Sequence, residues 1–314
     1  MNRGLTGALS TSVVAALLAA CGSPPPSLAP GAQFGSTEST SSAREMHDSK
    51  DKALLYISLA NQNQIDIVTY PKGKLVASIP GIEGPEGLCS DAKGNVFVPS
   101  PDSGQIFEYA HGGTSPIATL SDSGNEPVDC SIDPFSGNLA VANFGLGSVG
   151  NVAIYEAATG GPTFYADPDL VHYEACAYDS SGNLFVVGYG GTASFGELPR
   201  SSVTFQNFTL PFPNPRGIKW DGTYLAIESL SATAPSIERI SISGSSVELV
   251  QTVPISWKKK KKGFALMYFA LNHKTLVGPF SSEVGLWPYP AGGNAQKVFR
   301  GYRSVQGVAI SDAP

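Results

Sequence analysis

One phrase recurs along this chain. Pro85-Glu86-Gly87-Leu88-Cys89-Ser90-Asp91-Ala92-Lys93-Gly94-Asn95-Val96-Phe97-Val98 returns between Pro127 and Val141, again between Tyr173 and Val186, and in shortened form between Pro215 and Ile227. The period is roughly 40–46 residues, the length of one four-stranded propeller blade. Each copy reads as a short apolar strand, a tight turn and a second strand. The turn carries Asp-x-x-Gly-Asn or a clipped form of it. Asp accepts hydrogen bonds from its own turn backbone, and Gly takes a positive φ without a Cβ clash, so the pattern signals a hairpin. Asp91, Asp133, Asp179 and Asp221 are therefore turn residues rather than a carboxylate cluster.

A second ladder alternates with the first: an apolar strand ending near an aromatic, then a Gly- or Ser-rich turn. Its members include Ile67 to Gly73, Ile106 to Gly113, Ala153 to Tyr155 and Leu286 to Gly293. Another β-prone run follows each, which completes four strands per unit. Leu54 to Ser58 matches the second strand of a blade, so the first unit lacks its inner strand. Val305 to Ile310 matches that missing strand. The expected fold class is thus all-β, a six-bladed β-propeller in which the C-terminal strand joins the N-terminal blade and leaves no free sheet edge. In the sixth blade the inner strand is expected at Phe264 to Ala270 and the second at Thr275 to Pro279.

The ring accounts for residues 52–314. Residues 1–21 read as a targeting segment, with Arg3 before an apolar run and small residues before Cys21. Leu18-Ala19-Ala20-Cys21 resembles the bacterial lipobox. That resemblance implies cleavage before Cys21, lipid on Cys21 and an exported lipoprotein of the cell envelope; Gly22 after the cysteine implies the outer membrane where two membranes exist. Residues 22–51, rich in Pro, Ser and Thr, read as a flexible tether. The formal charge is −6; with the five lysines Lys258 to Lys262 set aside, 15 basic residues face 26 acidic ones. Such a surface argues against nucleic acid as a partner. The expected protein is a monomer, tied to the membrane through Cys21. Lys258 to Lys262 read as a solvated loop, or as a contact for anionic lipid or polymer.

Cys89, Cys130 and Cys176 all fall in inner strands, Cys130 and Cys176 at the same repeat position and Cys89 one residue on. An odd number cannot pair completely; they read as buried core residues, with a Cys130–Cys176 disulfide open to an exported chain. Ligands of a propeller bind where inner strands converge. The slot just before the repeat Gly holds Glu86, Val128, Glu174, Arg216 and Gln306, with Asp129 and Tyr173 adjacent. Two carboxylates and a guanidinium near one axis can bind a polar ligand or a cation, or neutralise one another. His172 is the one histidine placed beside a channel entry, and so the candidate for acid–base work.

Residues 85–98, continued by Ile106-Phe107-Glu108-Tyr109, resemble the NHL repeat, and the likeness recurs over residues 54–312. The chain also resembles a group of secreted bacterial propeller lipoproteins. Lactonases of the gluconolactonase type and streptogramin lyases are similar in fold. The lactonase resemblance implies a channel cation, and Glu83-Gly84-Pro85 echoes the first metal-ligand motif of those enzymes. Val128, Glu174 and Arg216 stand where later ligands belong. The expected function is an envelope-anchored, non-catalytic propeller without a cofactor or metal, binding a protein, peptide or glycan at the channel mouth through Glu86, Asp129, His172, Glu174, Arg216 and Gln306. The alternative is a cation-dependent hydrolase or lyase using Glu86, Glu174 and His172, with Ca²⁺ in the channel.

Overall fold

The computed structural model describes residues 52–230, 235–257, 266–280 and 282–313. They form six antiparallel blades of a β-propeller. The first blade runs Val305–Ser311, Leu54–Leu59, Gln64–Thr69, Leu75–Pro80 from axis to rim. The second is Cys89–Ser90, Val96–Ser100, Gln105–Tyr109, Pro116–Ser121; the third is Pro127–Ile132, Leu139–Asn143, Asn151–Tyr155, Thr163–Tyr165. The fourth comprises His172–Tyr178, Leu184–Tyr189, Phe195–Leu198 and Gln206–Asn207. Pro215–Trp220, Leu225–Ser229, Ser236–Ser243 and Ser246–Ser256 make the fifth, extended by a parallel contact with Gly293–Asn294. Ala270–Asn272, Thr275–Phe280, Glu283–Pro288 and Lys297–Arg300 make the sixth.

The expected closure is present: Leu54 to Leu59 pair antiparallel with Ser311 back to Val305. The sixth inner strand is displaced from its expected position. It spans Ala270–Asn272, turns at His273 in the left-handed region (φ 45°), and returns as Thr275–Phe280. Tyr268, ahead of it, makes a single parallel bridge to Gly307 of the first blade. Phe264 and Ala265, like Cys21, the tether and Lys258 to Lys262, lie outside the described residues.

Burial explains the two sequence ladders. Second strands such as Leu54–Leu59, Val96–Ser100 and Leu139–Asn143 are buried at every position, because both faces of a blade pack on neighbouring blades. The rim strands, such as Pro116–Ser121, are mostly exposed. The described core falls into clusters set in the gaps between blades, from Ile65 and Val98 between the first two to Leu55 and Val284 where the sixth meets the first. Apolar burial therefore holds the ring together blade by blade.

Because strands alternate in direction, one face of the ring carries the starts of the inner strands and the other carries the Asp turns. These are the entry face and the turn face. The turn aspartates behave as structural caps: Asp91 Oδ1 accepts from the backbone N–H of Lys93 (2.9 Å) and Asn95 (2.8 Å), and Asp179 Oδ1 does the same for Ser181 (2.8 Å) and Asn183 (2.9 Å).

Candidate functional site

The variable slot of the repeat coincides with a series of β-bulges. Pairing in the third blade steps from Pro127 to Asp129 and skips Val128. In the fourth it steps from Tyr173 to Ala175 and skips Glu174. In the fifth it steps from Pro215 to Ile218, so Arg216 and Gly217 oppose Glu228 alone. In the first it steps from Val305 to Val308, so Gln306 and Gly307 oppose Ser58. An extra residue interrupts the period of two and re-aims a side chain. This is how one sequence position places charged groups at the entry face of an apolar ring.

Just below the bulges, neighbouring inner strands meet in close backbone contact, a packed layer or plug. A Cβ on Gly217 would stand 1.9 Å from the Met267 carbonyl oxygen, and one on Gly307 would stand 2.4 Å from that of Glu86. Ser58, fully buried, joins the two sides of the ring closure: it accepts from Gly307 N–H (2.8 Å) and donates to the Glu86 carbonyl (2.5 Å). The repeat glycine is therefore a requirement of close approach between neighbouring inner strands.

The predicted site residues fall into two groups at the entry face and one beneath it. Glu174 and Arg216 form an ion pair across the fourth and fifth blades, with Glu174 buried and Arg216 29 % exposed. The Arg216 guanidinium also lies 5.0 Å from the ring centroid of Tyr189. Tyr189 is 4.9 Å from His172, which stacks on Phe144 at 4.8 Å. Phe144, His172, Tyr189 and Arg216 are thus one cluster, and Tyr189 is 40 % exposed. The His172 Nδ1 faces the carbonyl of Phe144 at 3.3 Å. Glu86 belongs to the second group, where its carboxylate accepts from the Tyr268 hydroxyl at 2.9 Å. Burial, above all, pushes the Glu86 carboxyl upward; Tyr268 opposes this, while the charges of Asp102, Asp129 and Glu126 reinforce it. Gln306 sits half-buried at the bulge of the first blade.

Asp129 is fully buried in the plug below. It accepts from Cys176 N–H (3.2 Å) and pairs with the Lys219 ammonium at 3.2 and 3.3 Å. Burial raises its pKa and Lys219 opposes the rise. Glu228, fully buried opposite the Arg216 bulge, accepts from Leu266 N–H at 2.5 Å. Burial lifts it to about 7, against that hydrogen bond and the charge of Arg216. The second oxygens of Glu174 and Glu228 have no hydrogen-bond partner among the described residues.

Lys219, Glu228, Tyr268, Phe144 and Tyr189 were not among the site residues expected from the sequence. Lys219 left a signal: two residues before the turn aspartate, the other copies carry Cys89, Ser131 and Ala177. The disulfide expectation is corrected as well. Cys89 pairs with Cys130 (Cα–Cα 5.5 Å), and Cys176 is a buried free thiol. Cys130 and Cys176 occupy equivalent positions and point the same way around the ring: the Cys130 sulfur lies 3.7 Å from the Phe97 carbonyl and the Cys176 sulfur 3.8 Å from that of Ala140, each in the preceding blade. They cannot face each other. Cys89, one residue on, points to the opposite side of its strand and meets Cys130.

No protein-family model and no curated protein matches this chain. Solved structures do. A chain of the nidogen/laminin complex matches with a TM-score of 0.63 at 13 % identity, over 83 % of this chain and 99 % of that one. Hydrazine synthase of Kuenenia stuttgartiensis matches with 0.58 at 14 %, over 76 % and 74 %. A protein of unknown function from Bacteroides caccae matches with 0.59 at 13 %, over 83 % and 99 %. At such identities the likeness concerns the fold.

Proposed function

We propose that this chain is a non-catalytic binding propeller, tethered to the cell envelope through a lipidated Cys21, whose entry face takes a protein or peptide ligand. The observation that carries the reading is the Phe144–His172–Tyr189–Arg216 cluster. Aromatic residues and arginine are the side chains most enriched at binding hot spots. The 144–150 loop that begins with Phe144 also exposes Leu146 (74 %) and Val149 (55 %). Exposed aliphatic groups beside an aromatic and guanidinium surface favour a polypeptide over a glycan.

The cation-dependent hydrolase reading asks Glu86, Glu174 and His172 to converge. Instead Glu174 faces Arg216, Glu86 faces Tyr268, and His172 lies between Phe144 and Tyr189. Among the described residues no group of three or more His, Cys, Asp or Glu is placed to hold a metal ion.

A photo-crosslinking residue at Leu146 of the full-length protein tests the proposal in cells. One discrete polypeptide adduct is expected, lost on Tyr189→Ala and absent when the crosslinker sits at Val203 on the turn face. An adduct that survives Tyr189→Ala, or none at all, overturns it; an adduct removed by glycosidase assigns the ligand to a glycan. Mass spectrometry of the mature N-terminus tests the tether, with a diacylglyceryl group on Cys21 expected and an unmodified residue refuting it.

A further inference from the structure

A cavity of about 280 Å³ lies on the turn face at the axis, lined by the ends of all six inner strands. We propose that it is a second binding site, for a small amphipathic monocarboxylate: one anionic head on a compact ring or short chain.

The lining dictates that chemistry. Leu271, Ile310 and the half-exposed Trp220 give it apolar walls. Lys219 is its one charged lining residue. Asp129, which does not line the cavity, holds the ammonium from the plug side and is itself sealed from solvent, whereas the Lys219 side chain stays 18 % exposed. The cavity therefore meets the positive end of a fixed ion pair. An ammonium has three donors and Asp129 cannot take them all, since it lies to one side. Ser131 adds another donor: its oxygen accepts from Tyr178 N–H at 3.0 Å, which leaves its own O–H to give. Ser90, by contrast, spends its hydroxyl on the Ile310 carbonyl at 2.7 Å. A cation and a hydroxyl set beside apolar side chains suit an acceptor with an apolar body. The volume lies just under the range of about 300–1,000 Å³ for drug-sized sites, which points to a small ligand.

Calorimetric titration of the full-length protein with 3-phenylpropionate, indole-3-acetate and hexanoate, each beside its uncharged amide, tests this. At least one carboxylate is expected to bind, and its amide at least about tenfold more weakly. The double variant Asp129→Asn/Lys219→Met removes both charges without stranding either, and should lose about tenfold or more. Trp220→Ala removes a half-exposed wall and should weaken binding similarly in a folded protein. Trp220→Phe, which keeps an aromatic wall, should keep the affinity. Leu75→Ala, on the exposed rim strand of the first blade, should leave affinity unchanged. Failure of all three carboxylates to bind by about 10 mM, equal binding of the amides, or unchanged binding by Trp220→Ala overturns the proposal.

Discussion

The entry face carries Glu86, Glu174 and Arg216, with Glu174 and Arg216 set on bulges; at the turn face the ends of the six inner strands line a cavity of mixed polar and apolar character, in which Lys219 alone carries charge. The difference follows from register. Where pairing is regular, side chains alternate and the ring keeps apolar groups inside. Where an extra residue interrupts pairing, the bulge re-aims a polar side chain. One end thus carries the variable, charged slot, and the other a cavity of mixed lining braced by a disulfide. The two ends should respond to different perturbations.

The largest effect is expected at the boundary between them. Lys219→Met strands the buried Asp129 carboxylate and should cost up to about 5 kcal/mol, the upper range for breaking a buried pair. The Asp129→Asn/Lys219→Met double variant should recover most of that loss. Urea unfolding of the wild type and both variants measures it. Equal losses in the single and double variants would mean that packing, and not charge, holds the plug.

The turn face should depend on redox state. The Cys89–Cys130 bond spans 41 residues, and in the chain-entropy account a loop of that length contributes roughly 4 kcal/mol. Cys89→Ser/Cys130→Ser should lose about that much in urea, and a reductant should lower the wild type toward the variant while leaving the variant unchanged. Crosslinking at Leu146 on the other face should persist in the surviving folded fraction. Loss of that adduct would show that the two ends do not act independently.

Much of this contrast was legible in the residues. The Asp turns gave the hairpins, and the unmatched strands at Leu54 and Val305 gave the closure. The repeat aligns Arg216, Glu174 and Glu86 in one slot, and the structure pairs Glu174 with Arg216. What was not legible came from register. Bulges are invisible to a period of two, so the opposition of Glu228 to Arg216 could not be foreseen. The disulfide misled because equivalent repeat positions share a direction around the ring, whereas a bond between neighbouring blades needs positions that differ by one. Tyr189 ends a second strand and Phe144 follows one, both outside the slot, and only the fold brings them beside His172.

The entry face should respond to pH through Glu228. Its folded pKa, about 7, stands above the ordinary carboxyl value of 4.5. The native state therefore holds the proton more tightly than the unfolded chain. Stability from this group is fully present below about pH 4.5 and is lost as pH rises through about 7, by on the order of 3 kcal/mol. Burial raises Glu86 and Asp129 as well, so their contributions are likewise lost as pH rises. Glu228→Gln isolates one contribution: its stability curve should fall less steeply from pH 5 to 7.5, and at pH 8 it should be the more stable protein. Parallel curves would place the Glu228 titration elsewhere.

The smallest effect on stability carries the most information about function. Tyr189→Ala removes a half-exposed ring that touches His172 and Arg216. Lost aromatic contacts of this kind cost about 0.5–1.5 kcal/mol, so the variant should remain folded in urea unfolding. A residue kept for packing would show that loss and nothing else. A residue kept for binding should show it together with disappearance of the Leu146 crosslink, at a temperature where the variant is fully native. Arg216→Lys sharpens the test. Lysine preserves the charge opposite Glu174 but lacks the planar face that lies against Tyr189. If the cluster works as an aromatic and guanidinium surface, Arg216→Lys should weaken the crosslink while leaving urea stability within about 1 kcal/mol of wild type. If the cluster is only a cap on the fourth blade, the crosslink should survive both changes.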